Sequence, residues 1–120
     1  MATESSITEA EWVLLNLLWK NGKSSAPTVA ALCQESQGWA YSTVKTMLDR
    51  MVDKGLTEAD LVGKTWLYQA ALSREDARKK AFHRLVHSAF SGSMPQLLEF
   101  LASRKALSAA QRKKLRDLLR

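Results

Sequence analysis

One segment constrains this chain more than any other: Trp39–Gly55, WAYSTVKTMLDRMVDKG. Set out at ~100° per residue, Val44, Met47, Leu48, Met51 and Val52 fill one continuous arc. Ser42, Thr43, Lys45, Thr46, Asp49, Arg50 and Asp53 fill the rest. The pattern predicts a single helix with one buried face. Its exposed arc holds short hydroxyls and cations rather than the Glu/Lys mixture of an ordinary solvated helix. Small hydroxyl groups near a helix N-terminus can approach base edges and phosphates closely, and Lys45 and Arg50 can neutralise phosphate. An amphipathic surface helix with incidental threonines satisfies the same pattern, so the segment does not decide the matter alone.

Its neighbours supply an order. Thr8-Glu9-Ala10-Glu11 matches a capping box and opens a helix to about Lys20, with Trp12, Leu15, Leu18 and Trp19 on its apolar face and Asn21-Gly22 as its stop. Ser24-Ser25-Ala26-Pro27 reads as a second helix start, since proline is tolerated in the first turn; this helix carries Val29, Leu32 and Cys33 and ends before Gly38. After Gly55 come two short runs, residues 56–61 and 64–69, flanking Val62-Gly63 as a tight connection. Three helices followed by a hairpin, with the third helix amphipathic, is the order of a winged helix-turn-helix domain.

From Ser73 the pattern is helical again. Ser73-Arg74-Glu75-Asp76 and Ser108-Ala109-Ala110-Gln111 are further capping-box matches, and Ser91-Gly92-Ser93 with Pro95 breaks the segment between them. The expected helices lie near 74–90, 94–104 and 109–119. Apolar stripes fall at Ala81, Leu85, Ala89 and Phe90, at Leu97, Leu98 and Leu101, and at Leu115, Leu118 and Leu119. The expected architecture is therefore mainly α with a small β-hairpin: a winged-helix domain over 1–72 and a helical region over 73–120.

Charge is divided unevenly. The formal net charge is +6, yet residues 1–72 hold six Lys/Arg against eight Asp/Glu, and residues 73–120 hold twelve against four. A basic chain suggests nucleic acid or an anionic surface, but here the surplus lies outside the segment nominated for base contact. Forty-eight residues in three short helices cannot bury enough apolar surface to stand alone, and with no cysteine among them association remains. Phe90, Leu97, Leu98, Leu101, Leu115, Leu118 and Leu119 form the expected dimerisation set.

Other chemistry finds little support. The start, MATESSITEAE, lacks a basic stretch, and no apolar run approaches ~18 residues, so neither secretion nor membrane insertion is expected and a cytoplasmic location is. The single cysteine, Cys33, sits in the apolar stretch Val29–Cys33 and reads as a core residue. His83 and His87 have the i, i+4 spacing of two metal ligands, but Arg84 rather than Glu follows His83, and Arg78, Lys79, Lys80 and Arg84 repel cations. No glycine-rich phosphate loop or Ser/His/Asp grouping occurs, so neither a cofactor nor an enzyme is expected. Arg112-Lys113-Lys114-Leu115-Arg116 reads as a solvated helix face.

The chain resembles the BlaI/MecI/CopY family of penicillinase-type repressors over essentially its whole length. The resemblance is strongest at Ile7-Thr8-Glu9-Ala10-Glu11-Trp12 with Leu18-Trp19, and at Trp39 followed by Ser42–Gly55. It implies an N-terminal winged helix on an operator, a helical C-terminal dimerisation region, and repression relieved when a membrane sensor-protease cuts that region. Two positions depart from the family pattern. Ala40-Tyr41 stands where members often have Ser-Pro, so a cap at Ser42 is expected, and Glu99-Phe100 stands where the best-studied β-lactam repressors are cut between Asn and Phe. The lack of cysteine beyond Cys33 argues against the copper-responsive branch.

Two functions from different classes follow. The first is a homodimeric repressor on a palindromic DNA operator, controlling a resistance or stress-response operon. Ser42, Thr43 and Thr46 would face base edges or nearby phosphates, Lys45 and Arg50 would position the backbone, and Lys64 at the hairpin tip would reach an adjacent phosphate. The second is a winged-helix protein-interaction module without sequence-specific DNA binding. That would call for large apolar anchors on the third helix, where this chain has Ser, Thr, Lys and Arg; Tyr41 alone suits either.

Overall fold

The computed structural model describes residues 6–103 and 105–120; residues 1–5 and Arg104, where the expected end of the second C-terminal helix fell, lie outside the described residues. The chain forms two compact units, Met1–Lys79 and Lys80–Arg120. In the first, α1 (Glu9–Asn21) is followed by a two-residue strand β1 (Ser24–Ser25), α2 (Ala26–Leu32), a single turn α3 (Gln34–Gln37), α4 (Tyr41–Asp53) and the hairpin β2 (Thr57–Val62) and β3 (Thr65–Ala70). The long helix α5 (Arg74–Ala89) crosses the limit between the units, and α6 (Met94–Ala102) and α7 (Ala109–Leu118) complete the second. The limit falls a turn and a half into α5, whereas residues 72/73 mark that helix's start.

Local chemistry sets most of these ends. Thr8 Oγ1 accepts from the Glu11 N–H at 3.1 Å while Glu11 Oε1 accepts from the Thr8 N–H at 2.9 Å, closing the capping box. Gly22, at φ 80°, lets α1 stop in a conformation that a side chain would disfavour. Ser25 caps α2 through the Thr28 N–H, Ser73 caps α5 through the Asp76 N–H, and Ser108 and Gln111 form a second complete box at α7.

The hairpin is part of a three-stranded antiparallel sheet in the order β1-β3-β2. Ser24 pairs with Tyr68 and Ser25 with Leu67, so the two serines read only as a helix start also close the sheet's far edge. The β2–β3 register runs from Thr57↔Ala70 to Val62↔Thr65, which makes Gly63-Lys64 the two-residue turn rather than Val62-Gly63. Gly63 takes φ 64° while Lys64 does not have positive φ, the combination of a type II′ hairpin turn. The shift leaves Lys64 at the tip.

The first unit holds a continuous core. Leu14, Leu15 and Leu18 of α1, Ala26, Val29 and Ala30 of α2, Cys33 beyond it, Val44, Leu48 and Met51 of α4, Leu56 and Tyr68 are all buried together. Trp19, Trp39 and Met47 pack against this cluster from its margin. Cys33 is thus a core residue, with burial pushing its thiol above the ordinary range. Leu32, by contrast, is exposed, because α2 ends there and Cys33 takes the inward position.

Three polar ties hold the elements around this core. Lys54, after α4, reaches both carboxylate oxygens of Glu11 at 2.8 Å, and Glu11 is nearly closed off from solvent. The buried Thr57 hydroxyl donates to the Leu48 carbonyl of α4 at 3.1 Å, and Trp19 Nε1 donates to the Leu72 carbonyl at 3.0 Å.

The second unit is different in kind. Among its described apolar residues only Val86 and Leu97 are buried, and Phe90 and Phe100 meet at 5.6 Å between ring centroids. On α5 it is Val86, not Leu85, that turns inward; Leu85 is exposed, as are Ala81 and Ala89.

Candidate nucleic-acid interface

Helix α4 presents two unlike faces because its apolar residues recur with helical period. Val44, Leu48 and Met51 are fully buried, and Met47 is partly so; Val52, at the arc's edge, is already exposed. The opposite face carries Ser42, Thr46 and Arg50 at i, i+4 and i+8, one per turn, with Thr43 beside them, and all four side chains are exposed. Among the described residues Arg50 forms no ion pair with a carboxylate.

The helix begins one residue before the expected cap. Ala40 is the N-cap in extended conformation (φ −69°, ψ 156°), Tyr41 is the first helical residue, and Ser42 lies inside the first turn. Trp39, packed against the core, fixes the chain's approach and so places this start. No side chain caps the helix, so the N–H groups of its first turn stay open to an external acceptor at the positive end of the dipole. Tyr41 is half exposed beside them.

Lys45 is not the free cation expected. Its ammonium donates to Asp49 Oδ2 at 2.7 Å and to the Tyr68 hydroxyl at 2.8 Å, and that hydroxyl donates to Asp49 Oδ1 at 2.6 Å. Tyr68 is a core residue of β3, so this closed ring of three groups ties α4 to the hairpin. Burial works against ionisation of Asp49, but the bonds from Lys45 and Tyr68 overcome it and hold the carboxyl below its usual range. Burial, with the bond to Asp49, pushes the Tyr68 phenol upward, and bonds to Asp49 and Tyr68 raise Lys45, so the network is a locked Lys⁺–Asp⁻–TyrOH set at neutral pH. Asp49 offsets the lysine charge, so Lys45 offers this surface less positive charge than the sequence alone suggests.

Lys64 is exposed on the Gly63-Lys64 turn. A second hairpin tie, Lys23 Nζ to Asp60 Oδ2 at 3.0 Å, joins β2 to the residue before β1. Neither tie involves neighbours in sequence, and only the appearance of Lys45 and Asp49 at i, i+4 hinted at part of one.

A model of the penicillinase repressor family matches residues 7–120. The chain belongs to that family. Its members are transcriptional repressors and not enzymes, which removes the protein-interaction module as the alternative reading. The methicillin resistance regulatory protein MecI of Mammaliicoccus sciuri is 23% identical over 113 residues, covering 94% of this chain and 92% of MecI. An uncharacterised 16.5 kDa protein from the ptsI 3′ region of Latilactobacillus sakei is 27% identical over 115 residues, covering 96% of this chain and 79% of that protein. Among solved structures, the Bacillus licheniformis BlaI monomeric form in complex with the blaP half-operator superposes with a TM-score of 0.53 at 24% identity. That match covers 63% of this chain and 93% of that one, and it shows the winged-helix fold.

For a family member, the remaining expected residues fall as follows. Leu97 is buried, Phe90, Leu101 and Leu115 are half-buried, and Leu98, Leu118 and Leu119 are exposed. Leu98, Leu101, Ala102, Leu115 and Leu119, with Arg112 and Arg116, line a cavity of about 420 Å³ between α6 and α7. Glu99 and Phe100 are both exposed on α6. His83 stacks edge-on against Phe82 at 5.8 Å, and no cluster of three metal-ligating side chains exists among the described residues. No helix among them is long and apolar enough to cross a membrane.

Proposed function

We propose that this repressor acts as a homodimer on a palindromic operator, with α4 seated in the major groove of each half-site. The observation that carries the reading is the row Ser42–Thr46–Arg50, three exposed polar side chains on successive turns of a helix whose other face is locked into the core. Ser42, Thr43 and Thr46 are short enough to let the helix approach base edges, and the uncapped first turn offers N–H donors to a phosphate. Arg50 and Lys64 supply the phosphate contacts at the two ends of the surface. Lys45 serves through its bridge, holding α4 and the hairpin in one frame.

The second unit supplies the pairing. Its exposed leucines and the groove between α6 and α7 match a surface made to be covered, and a second copy of the same chain covers it with the same chemistry. Each good base contact discriminates by ~1–3 kcal/mol, too little for one domain, and two linked domains make up the difference through effective concentration. Release by a membrane sensor-protease would cut at or near Glu99-Phe100. That bond lies in a helix of nine residues, so α6 would have to open locally first.

Thr46→Ala and Arg50→Ala test the central element, because neither side chain touches the core. Both should weaken binding to a duplex that the wild-type protein recovers from a random-sequence pool. Thr46→Ala should act mainly on sequence preference. Arg50→Ala should weaken all sequences alike and flatten the salt dependence by about one phosphate contact. Unaltered binding curves for both folded variants would remove α4 from the interface.

A further inference from the structure

The hairpin carries an apolar patch that the fold leaves without a partner. Side chains on a strand alternate between faces, so Trp66 shares a face with Tyr68, and Leu61, paired with Trp66, shares it with Ala59, the partner of Tyr68. This is the face that looks toward α4, since the Tyr68 hydroxyl meets Lys45 and Asp49 of that helix. Near its base the face is core: Thr57 and Tyr68 are buried, and Ala59 is half-buried. One pair nearer the tip it runs past the protein. Trp66 remains 49% exposed and Leu61 55% exposed. The chain's other tryptophans, at 12, 19 and 39, are all at least partly buried.

On α4, the helix this face looks toward, the hydroxyl and arginine row is exposed as well. Beyond the next pair, Val62 and Thr65, the exposed turn carries Lys64, whose charge favours an anionic partner over an apolar one. The Lys45–Asp49–Tyr68 ring ties the strand that bears Trp66 to the helix that bears the row, so a partner lying along the row meets the hairpin in a fixed position. An indole and an isobutyl group beside a cation suit a partner with apolar and anionic parts in regular succession, which is the sugar–phosphate backbone of a duplex.

We infer that Trp66 and Leu61 form an apolar clamp that packs on the deoxyribose edge of the DNA strand flanking the groove occupied by α4, while Lys64 holds the adjoining phosphate. The inference rests on the operator-binding reading above and adds to it a contact that is apolar and insensitive to salt. Deoxyribose presents C–H groups common to every nucleotide, so the clamp contributes affinity and register without reading sequence.

Full-length Trp66→Thr keeps a residue suited to a strand while removing the ring. Titrated with a short duplex selected by the wild-type protein from a random pool, it should bind roughly tenfold more weakly, the factor expected from losing burial of part of one large apolar side chain. The slope of log affinity against log salt should stay at its wild-type value, whereas Lys64→Ala should lower it by about one contact. Leu61→Ala should lose a smaller factor in the same sense. Trp66→Phe should retain most of the affinity but lose the greater part of the change in tryptophan emission that duplex causes in the wild type.

Wild-type affinity in Trp66→Thr and Leu61→Ala, with Thr46→Ala and Arg50→Ala still weakened, would overturn the clamp and leave the operator reading intact. Wild-type affinity in all four would instead bring down the operator reading itself. A change of sedimentation in Trp66→Thr with unaltered duplex binding would assign the patch to a protein contact and also overturn the clamp.

Discussion

The two units of this chain use apolar residues for opposite ends. Residues of α1, α2, α4 and the sheet bury Leu14, Leu15, Val29, Val44, Leu48, Met51 and Tyr68 completely, and among the described residues every buried polar side-chain atom has a hydrogen-bond partner. The second unit has leucines at comparable helical spacing, yet Leu98 is 57% exposed, Leu118 68% and Leu119 77%. Three short helices enclose too little volume for all their apolar side chains to face inward at once. The first unit therefore encloses a core of its own, and the second leaves exposed the surface that the proposed pairing would use. Periodicity shows that a helix has an apolar face; it does not show whether that face is satisfied within the chain.

Substitutions in the two cores should separate these roles, and the largest effect is expected in the first. Leu48→Ala, at the centre of the buried face of α4, should cost about 2–5 kcal/mol through lost burial and the cavity left behind. Leu119→Ala removes a comparable side chain from an exposed site and should leave the unfolding midpoint of the dilute protein nearly unchanged while weakening its self-association. Denaturant melts across a range of protein concentrations distinguish the two. A concentration-dependent shift for Leu48→Ala alone would break the comparison.

The next largest effect concerns the tie between the ends of α1 and α4. Lys54→Met removes the cation facing Glu11, which keeps only its bond from the Thr8 N–H in a nearly closed site. Stranding that carboxylate should destabilise the first unit by about 2 kcal/mol. The double variant Lys54→Met/Glu11→Gln should recover part of it, and equal losses in single and double variants would show that the pair is not coupled.

Smaller still is the Lys45–Asp49–Tyr68 ring. Tyr68→Phe removes a hydroxyl that donates to one member and accepts from the other, at a cost of about 1 kcal/mol. The pH dependence has a defined sign. Asp49 titrates below its ordinary 3.8 in the folded protein, so its contribution is present above that value and is lost as pH falls through the lower folded one. Tyr68 titrates above its ordinary 10.0, so its contribution is present below 10.0 and is lost as pH rises through the higher folded value. The difference between wild type and Tyr68→Phe should thus be level across the neutral range and shrink at both extremes. A difference that changes between pH 5 and pH 9, measured by denaturant melts, would assign the ring's protons wrongly.

Much of the first unit was legible because its signals are local. Thr8 with Glu11, Ser25 with Pro27, Gly22 and Gly38 act within a turn of where they sit, and the α4 arc needs only the helical period. The errors share the opposite character. Ser24–Ser25 pairs with a strand more than 40 residues away, and two residues have no periodicity to betray them. The cap at Ser42 failed because Trp39, held by the core, starts the helix a residue ahead of the first hydroxyl. Lys45 looked free because its second partner, Tyr68, stands 23 residues on. The same limit hid Glu11–Lys54, although both residues lie inside the stretches that carried the family resemblance. The Trp66–Leu61 patch was hidden differently: an alternating apolar strand looks the same whether or not anything covers its far end.

The division of labour is tested most directly by sedimentation equilibrium of the full chain beside a fragment of residues 1–79, at matched concentrations and at low and high salt. The fragment keeps the Leu72 carbonyl that receives Trp19, and Arg74, which lies 5.1 Å over the Trp19 ring. The full chain should sediment as a dimer that tightens with salt, because the surplus cations of residues 73–120 repel across the pair. The fragment should be folded and monomeric throughout. A monomeric full chain at micromolar concentration, or a fragment that dimerises as readily as the whole, would contradict the account.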